Sequence, residues 1–228
     1  MKQTLIRNLQ SQTSLLIFCN GWAMNSGAVE HLIIPSDYDL LLLEDYRDHT
    51  FGFDFSPYSR VDLVGWSMGV WAASLLYTQK QLPPIERAIA IAGTPYPRHD
   101  QWGIPTTLFD ATLDNLNEPN RARFNRRMCG GKTLKHLFEA LQKRPTEEIK
   151  SELAHVGDQE SFPPESVSSL WTHAVIPLRD RIIPPDNQRV WWDHTSVKQE
   201  LLPQADHYPF LQFTHWEQLL TLGNDLYV

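Results

Sequence analysis

Gly65-Trp-Ser-Met-Gly69 places a serine between two glycines, each two residues away. The run Val61–Val64 before it is apolar apart from Asp62 and β-branched at both ends, as in a short buried strand. Val70–Tyr77 after it reads as a helix packed on apolar neighbours. A serine held in such a strand-to-helix turn presents its hydroxyl, and the glycines relieve the crowding around it. The helix points its positive dipole end at charge developing nearby. Ser67 is thus the candidate nucleophile, and a purely structural turn is the alternative.

A serine hydroxyl is a poor nucleophile at neutral pH unless a base lies within hydrogen-bond reach and a carboxylate orients that base. On a doubly wound hydrolase sheet the partners follow in the order serine, acid, histidine. Asp180 stands just beyond a late strand, Thr172–Leu178, and His207 just beyond the last one, Gln199–Pro203. Both fall at the carboxyl ends of strands, the edge where Ser67 lies. Asp186 competes for the acid but stands after two prolines at a helix start, where it suits a cap. Asp206 adjoins His207, where a bend points it away. Among the histidines, His194 and His215 sit in or beside predicted helices and His173 at a strand start. His31, His49, His99, His136 and His155 fall before or outside the required segment. The oxyanion of a tetrahedral intermediate needs preorganised N–H donors. Met68, after the nucleophile, supplies one, and Trp22, in the loop after the first central strand, the other. Trp22 and Trp66 can also be read simply as wall aromatics.

These residues require an alternating scaffold. Ser14–Cys19 reads as a strand buried on both faces, ending in the loop Asn20–Asn25. Asp39–Glu44 and Arg87–Ala92 are further strands, and strands alternating with helices imply a parallel sheet with right-handed crossovers. From about Arg98 to Pro164 the strand rhythm stops. Helices are expected over Thr106–Leu116 and Pro119–Met128, over a segment with Leu134, Leu137, Phe138 and Leu141 on one face, and from Thr146 with Ile149, Leu153 and Val156 on one face. Residues 98–165 therefore read as a helical lid inserted into a core formed by 1–97 and 166–228. Helices over Asp186–Asp193 and from His215 to Leu220 complete the chain.

A chain of 228 residues with 42% hydrophobic and 21% charged content has an ordinary globular composition. No apolar run approaches the length of a membrane span, and the start, Met1–Arg7, lacks a signal-peptide core. Cys19 and Cys129 are isolated thiols, which fits a reducing, cytoplasmic location, with Cys19 a small buried hydrophobe. No Cys/His spacing suggests a zinc site, and neither metal nor cofactor is expected. The net charge of −7 disfavours nucleic acid. That charge is uneven. Between Asn120 and Arg144 stand eight basic residues and one acid, a local +7 against −14 elsewhere. The patch suits an acidic partner or substrate; a solvated helix face is the bland alternative.

Gly65-Trp-Ser-Met-Gly69, Asn20-Gly-Trp22, Asp180-Arg-Ile-Ile-Pro184 and His207-Tyr-Pro-Phe210 together resemble the α/β-hydrolase superfamily across nearly the whole chain. With Asn20-Gly-Trp-Ala-Met-Asn25, the chain is most similar to the pimeloyl-[acyl-carrier protein] methyl ester esterases of biotin synthesis. The resemblance implies a mostly parallel, front-truncated sheet and hydrolysis of a methyl ester on a carrier-bound pimeloyl chain. Under it, Ser67 attacks, His207 carries the proton to methanol and Asp180 holds His207. It also implies that basic lid residues, here Arg123, Arg126 and Arg127, grip an acidic acyl carrier protein, and that Phe124 lines the acyl channel. Asn20-Gly21 departs from the His-Gly of many relatives, which bears on the subgroup, since the donor is the later backbone N–H. A thioesterase, a general carboxylesterase or a carbon–carbon bond hydrolase would use the same triad. A non-catalytic binding protein on this scaffold would have no need of all three residues.

Overall fold

An interior strand of the sheet is β2 (Ser14–Cys19), every residue of which is buried. The computed structural model describes residues 1–8, 13–131, 144–159 and 162–222. On one side β2 pairs in parallel with β3 (Tyr38–Glu44), and on the other with β4 (Arg60–Trp66). β5 (Arg87–Ile91), β6 (His173–Pro177) and β7 (Lys198–Leu202) continue the parallel sheet beyond β4. β1 (Lys2–Ile6) closes the other edge, antiparallel to β3, with Lys2 opposite Glu44. The order is β1-β3-β2-β4-β5-β6-β7. Continuous apolar runs such as Leu15–Phe18 and Leu40–Leu43 form the central strands because both of their faces are covered.

The sequence reading passed over β1, whose residues alternate between exposed and half-buried at the sheet edge. β4 also runs further than expected, through Gly65 and Trp66, so the bend falls on Ser67 alone. Asp62, the polar residue inside that strand, is fully buried, accepting from the Tyr38 hydroxyl at 2.5 Å and from Arg60 Nε at 2.9 Å.

α1 (Met68–Thr78) follows Ser67 and is buried from Met68 to Leu76. Among the described residues no strand lies between Ile91 and His173. That stretch holds α2 (Thr106–Asp114), α3 (Glu118–Met128), α4 (Thr146–Gly157) and the one-turn α5 (Pro164–Val167). Pro119 lies in the first turn of α3, which Asn117 caps through the Asn120 amide. Ile149, Leu153 and Val156 form the buried face of α4, joined by a charged residue, Glu152. The helix expected around Leu134, Leu137, Phe138 and Leu141 lies outside the described residues. α6 (Pro185–Trp192) and α7 (Trp216–Leu220) complete the layers. No helix among the described residues is long and apolar enough to cross a membrane.

The connections from β2 and β4 leave in opposite directions, β2 towards β3 and β4 towards β5. Where strand order reverses in this way, a crevice opens at the carboxyl ends of the strands. The Asn20–Asn25 loop and Ser67 both emerge there.

Candidate active site

Ser67 has φ 56° and ψ −121°, a strained conformation for a residue with a side chain. Its amide donates to the Ile91 carbonyl at 2.9 Å, which fixes the turn to the neighbouring strand. Gly69 is needed because a Cβ there would lie 1.9 Å from the Cys19 carbonyl oxygen. Gly65 is needed because a Cβ would come within 3.0 Å of the Val70 backbone. α1 can thus start immediately behind the serine and lie tight against the end of β2.

His207 Nε2 is 2.9 Å from Ser67 Oγ, and His207 Nδ1 is 2.7 Å from Asp180 Oδ2. Nδ1–H donating to the carboxylate leaves the Nε2 lone pair free to accept the serine proton. Asp180 is fixed by three further donors: the Ile182 and Ile183 amides on Oδ1 at 2.8 and 3.0 Å, and Gln188 Nε2 on Oδ2 at 2.9 Å. Trp66 Nε1 donates to the His207 carbonyl at 2.9 Å, tying the histidine loop to the serine strand. All three members are nearly withdrawn from solvent, His207 at 2% and Ser67 at 7% exposure.

The rival residues are elsewhere. Asp186 is exposed in the first turn of α6, Asp206 packs against Gly130, and His194 and His215 are exposed. His173 starts β6 with Thr172 and Arg87 as neighbours. Cys19 is buried, and burial pushes its thiol pKa far up, as for an inert core residue.

Trp22 and Met68 both border the cavity above Ser67. Met68 opens α1, so its amide has no intrahelical acceptor. Among the described residues neither the Trp22 nor the Met68 amide has a hydrogen-bond acceptor. The Trp22 side chain is also a wall: its indole donates to the Ile149 carbonyl at 2.7 Å, and Phe124 meets its ring edge-on at 5.0 Å. The cavity has a volume of about 320 Å³. α2 contributes Leu108, Phe109 and Thr112 to its wall, α3 contributes Phe124 and Met128, and Arg123, Arg127 and Arg181 are charged lining residues.

The basic patch divides. Arg123, Arg126 and Arg127 are exposed. Arg121 is buried and Arg144 half-buried, and both are structural: Arg121 faces Glu118 and Thr146, and Arg144 pairs with Glu152 and Asp45. Lys132, Lys135 and Lys143 lie outside the described residues. Among those described, no cluster of His, Cys, Asp and Glu could hold a metal ion.

Sequence reasoning missed Gln188, Trp66 as a tether for His207, and the Arg144–Glu152 pair. Gln188 has no distinguishing local pattern; two buried tryptophans after it and its place in the helix following Asp180 are the available signals.

The fold and its neighbours define an α/β-hydrolase, and the chain is a carboxylic-ester hydrolase. Residues 1–219 match the family described as pimeloyl-ACP methyl esterase BioG, and the chain belongs to that family, a group of biotin-synthesis esterases. BioG from Haemophilus influenzae has a solved structure with a TM-score of 0.81 and 36% identity, covering 96% of this chain and 99% of that one. An esterase from Exiguobacterium antarcticum, at 12% identity and a TM-score of 0.73, covers 96% of this chain and 92% of its own, and shares the fold. A malonyl-[acyl-carrier protein] O-methyltransferase from Bacteroides fragilis is 42% identical over 207 residues, which are 83% of this chain and 42% of that protein.

Proposed function

We propose that this esterase hydrolyses the methyl ester of pimeloyl-[acyl-carrier protein] methyl ester with Ser67 as nucleophile, His207 as base and Asp180 as its orienting acid. The observation that carries the reading is the unbroken chain from Ser67 Oγ to His207 at 2.9 Å and from His207 to Asp180 at 2.7 Å. Ser67 Oγ attacks the ester carbonyl while its proton passes to His207 Nε2. The negative charge on the carbonyl oxygen is received by the Trp22 and Met68 amides. Collapse of the intermediate expels methoxide, which takes the proton from His207 and leaves as methanol. Water, deprotonated by His207, then cleaves the acyl-enzyme and frees the pimeloyl carboxylate on its carrier.

The ester lies at the far end of the acyl chain from the carrier, so it enters first and the carrier stays outside. Residues 98–165 act as the lid. Phe124 lines the channel, and the exposed Arg123, Arg126 and Arg127 dock the acidic carrier protein beside the mouth. The enzyme works in the cytoplasm, where Cys19 and Cys129 remain thiols.

The test is Ser67→Ala assayed on the carrier-bound methyl ester. Hydrolysis falls by about a millionfold, leaving only the weak residual catalysis that binding and the amide donors supply, while the carrier-bound ester still binds. Turnover close to the parent's would mean another nucleophile.

A further inference from the structure

The loop that carries the Trp22 amide is held in place by α4 rather than by the sheet alone. Glu152 of α4 is fully buried and divides its two oxygens between two loops. Oε2 accepts from the Ala23 amide at 3.4 Å and from Arg144 Nη1 at 2.7 Å, and Oε1 accepts from the Tyr46 amide at 3.0 Å. Arg144 Nη2 lies 3.2 Å from Asp45 Oδ1, so one guanidinium bridges the carboxylate and the second loop. One turn earlier on the same helix, the Ile149 carbonyl accepts from the Trp22 indole at 2.7 Å. Two successive residues of the site loop, Trp22 and Ala23, are therefore bound to α4 through different groups. The Tyr46 hydroxyl adds a third tie, donating to the Asn20 carbonyl at 2.6 Å.

Both loops need such support. Ala23 has φ 65° and Asp45 has φ 60°, left-handed conformations that residues with side chains hold only when their surroundings fix them. A buried ion pair adds little net stability over apolar packing of the same volume. What it does provide is direction, since a carboxylate offers acceptors to two amides that would otherwise be buried without partners. Burial raises the Glu152 pKa, with Arg144 and the Tyr46 amide opposing that shift. Arg144 also cancels the carboxylate's negative charge, which would otherwise oppose an oxyanion forming nearby.

We propose that Glu152, held by Arg144, is a positioning residue for the hydrolysis: it fixes the Trp22–Ala23 peptide and so aims the Trp22 amide at the oxyanion. The inference rests on the donor role given to Trp22 above. Neither Glu152 nor Arg144 lines the cavity, so neither touches substrate.

Glu152→Gln preserves the shape but turns an NH₂ group towards donors that need an acceptor. Expected is a fall in kcat of about ten- to hundredfold on both the carrier-bound methyl ester and p-nitrophenyl butyrate, with KM within about twofold. Affinity for an alkyl trifluoromethyl ketone falls by the same factor as kcat/KM. Ser67 Oγ adds to the carbonyl carbon of this probe, the serine proton passes to His207, and the carbonyl electron pair leaves an anionic oxygen on the hemiketal. Binding of the corresponding methyl ketone, which stays uncharged, does not change. Rates are normalised to the folded fraction from near-ultraviolet circular dichroism. Arg144→Lys, which keeps the charge but offers one nitrogen where the guanidinium uses two, gives a smaller loss with the same signature and carries the test if the glutamine variant does not fold. Parent-like kcat and ketone affinity in folded variants would overturn the proposal, as would equal losses for the trifluoromethyl and methyl ketones. Those outcomes leave the Ser67→Ala result untouched, whereas parent-like turnover by Ser67→Ala defeats the nucleophile reading itself.

Discussion

Gln188 Nε2 donates to Asp180 Oδ2, the same carboxylate oxygen that receives His207 Nδ1. The amide also donates to the Ile183 carbonyl, so it is fixed in rotation and holds Asp180 from behind. Replacing it with methionine of similar length removes one of the donors that orient the acid. The expected outcome is a fall in kcat of about tenfold with KM unchanged, read from steady-state kinetics on p-nitrophenyl butyrate. An unchanged kcat would show that the two backbone amides on Oδ1 suffice.

Gly69→Ala drives a methyl group into the Cys19 carbonyl, backbone against backbone with no flexible side chain to yield. A loss of roughly 3 kcal/mol or more is expected, with activity lost in whatever folds. Gly52 provides the matched control, since nothing lies within 4 Å of its added Cβ. Gly52→Ala should stay within roughly 0.5 kcal/mol of the parent in urea unfolding. Similar behaviour of the two variants would contradict the close approach of α1 to β2.

The carrier docking proposed for the exposed arginines would be electrostatic and therefore sensitive to salt. Arg126→Glu, outside the cavity lining, lowers kcat/KM for the carrier-bound ester about tenfold more than for p-nitrophenyl butyrate. Raising ionic strength lowers the same ratio in the parent and has less effect in the variant. Equal losses on both substrates would remove the docking surface.

His49, His99 and His173 all have lowered pKa values, chiefly through desolvation. His155 adds to the effect at His49, and Arg87 and Lys198 add to it at His173. A histidine depressed in the folded state binds fewer protons there than in the unfolded chain, so stability rises with pH across that interval. Conversely, stability is lost as pH falls below the ordinary histidine value of about 6.5 and on through the folded-state values. Thermal unfolding between pH 8 and pH 5 should show that decline, and His49→Gln should flatten part of it. A variant with the parent's pH slope would remove His49 from the account.

The strand-turn-helix around Ser67 was legible because its chemistry is local. A glycine on either side of a serine, an apolar run before and a helix after are consequences of one sharp bend, and they lie together between Val61 and Tyr77. His207 and Asp180 were legible by chain order and by their places after strands. Glu152 was not, since its amide partners are 106 and 129 residues away and no local pattern distinguishes it from other helix glutamates. Counting charge between Asn120 and Arg144 misled for the same reason. It gave Arg121 and Arg144 to the surface, whereas Arg121 is buried and the half-buried Arg144 is taken up in ion pairs with Glu152 and Asp45. β1 escaped notice because an edge strand needs only a half-buried face, and Lys2–Ile6 is too short and mixed to show one.

The cavity wall has an unequal distribution: α2 and α3 provide most of its helical lining, while α4, tied by Arg144 and Glu152, provides only Leu153. Selectivity and framework are therefore carried by different helices. A library aimed at new acyl lengths belongs at Leu108, Thr112, Phe124 and Met128, where each change alters the space and spares the anchors. Mutations in α4 would instead tend to alter turnover for every ester alike.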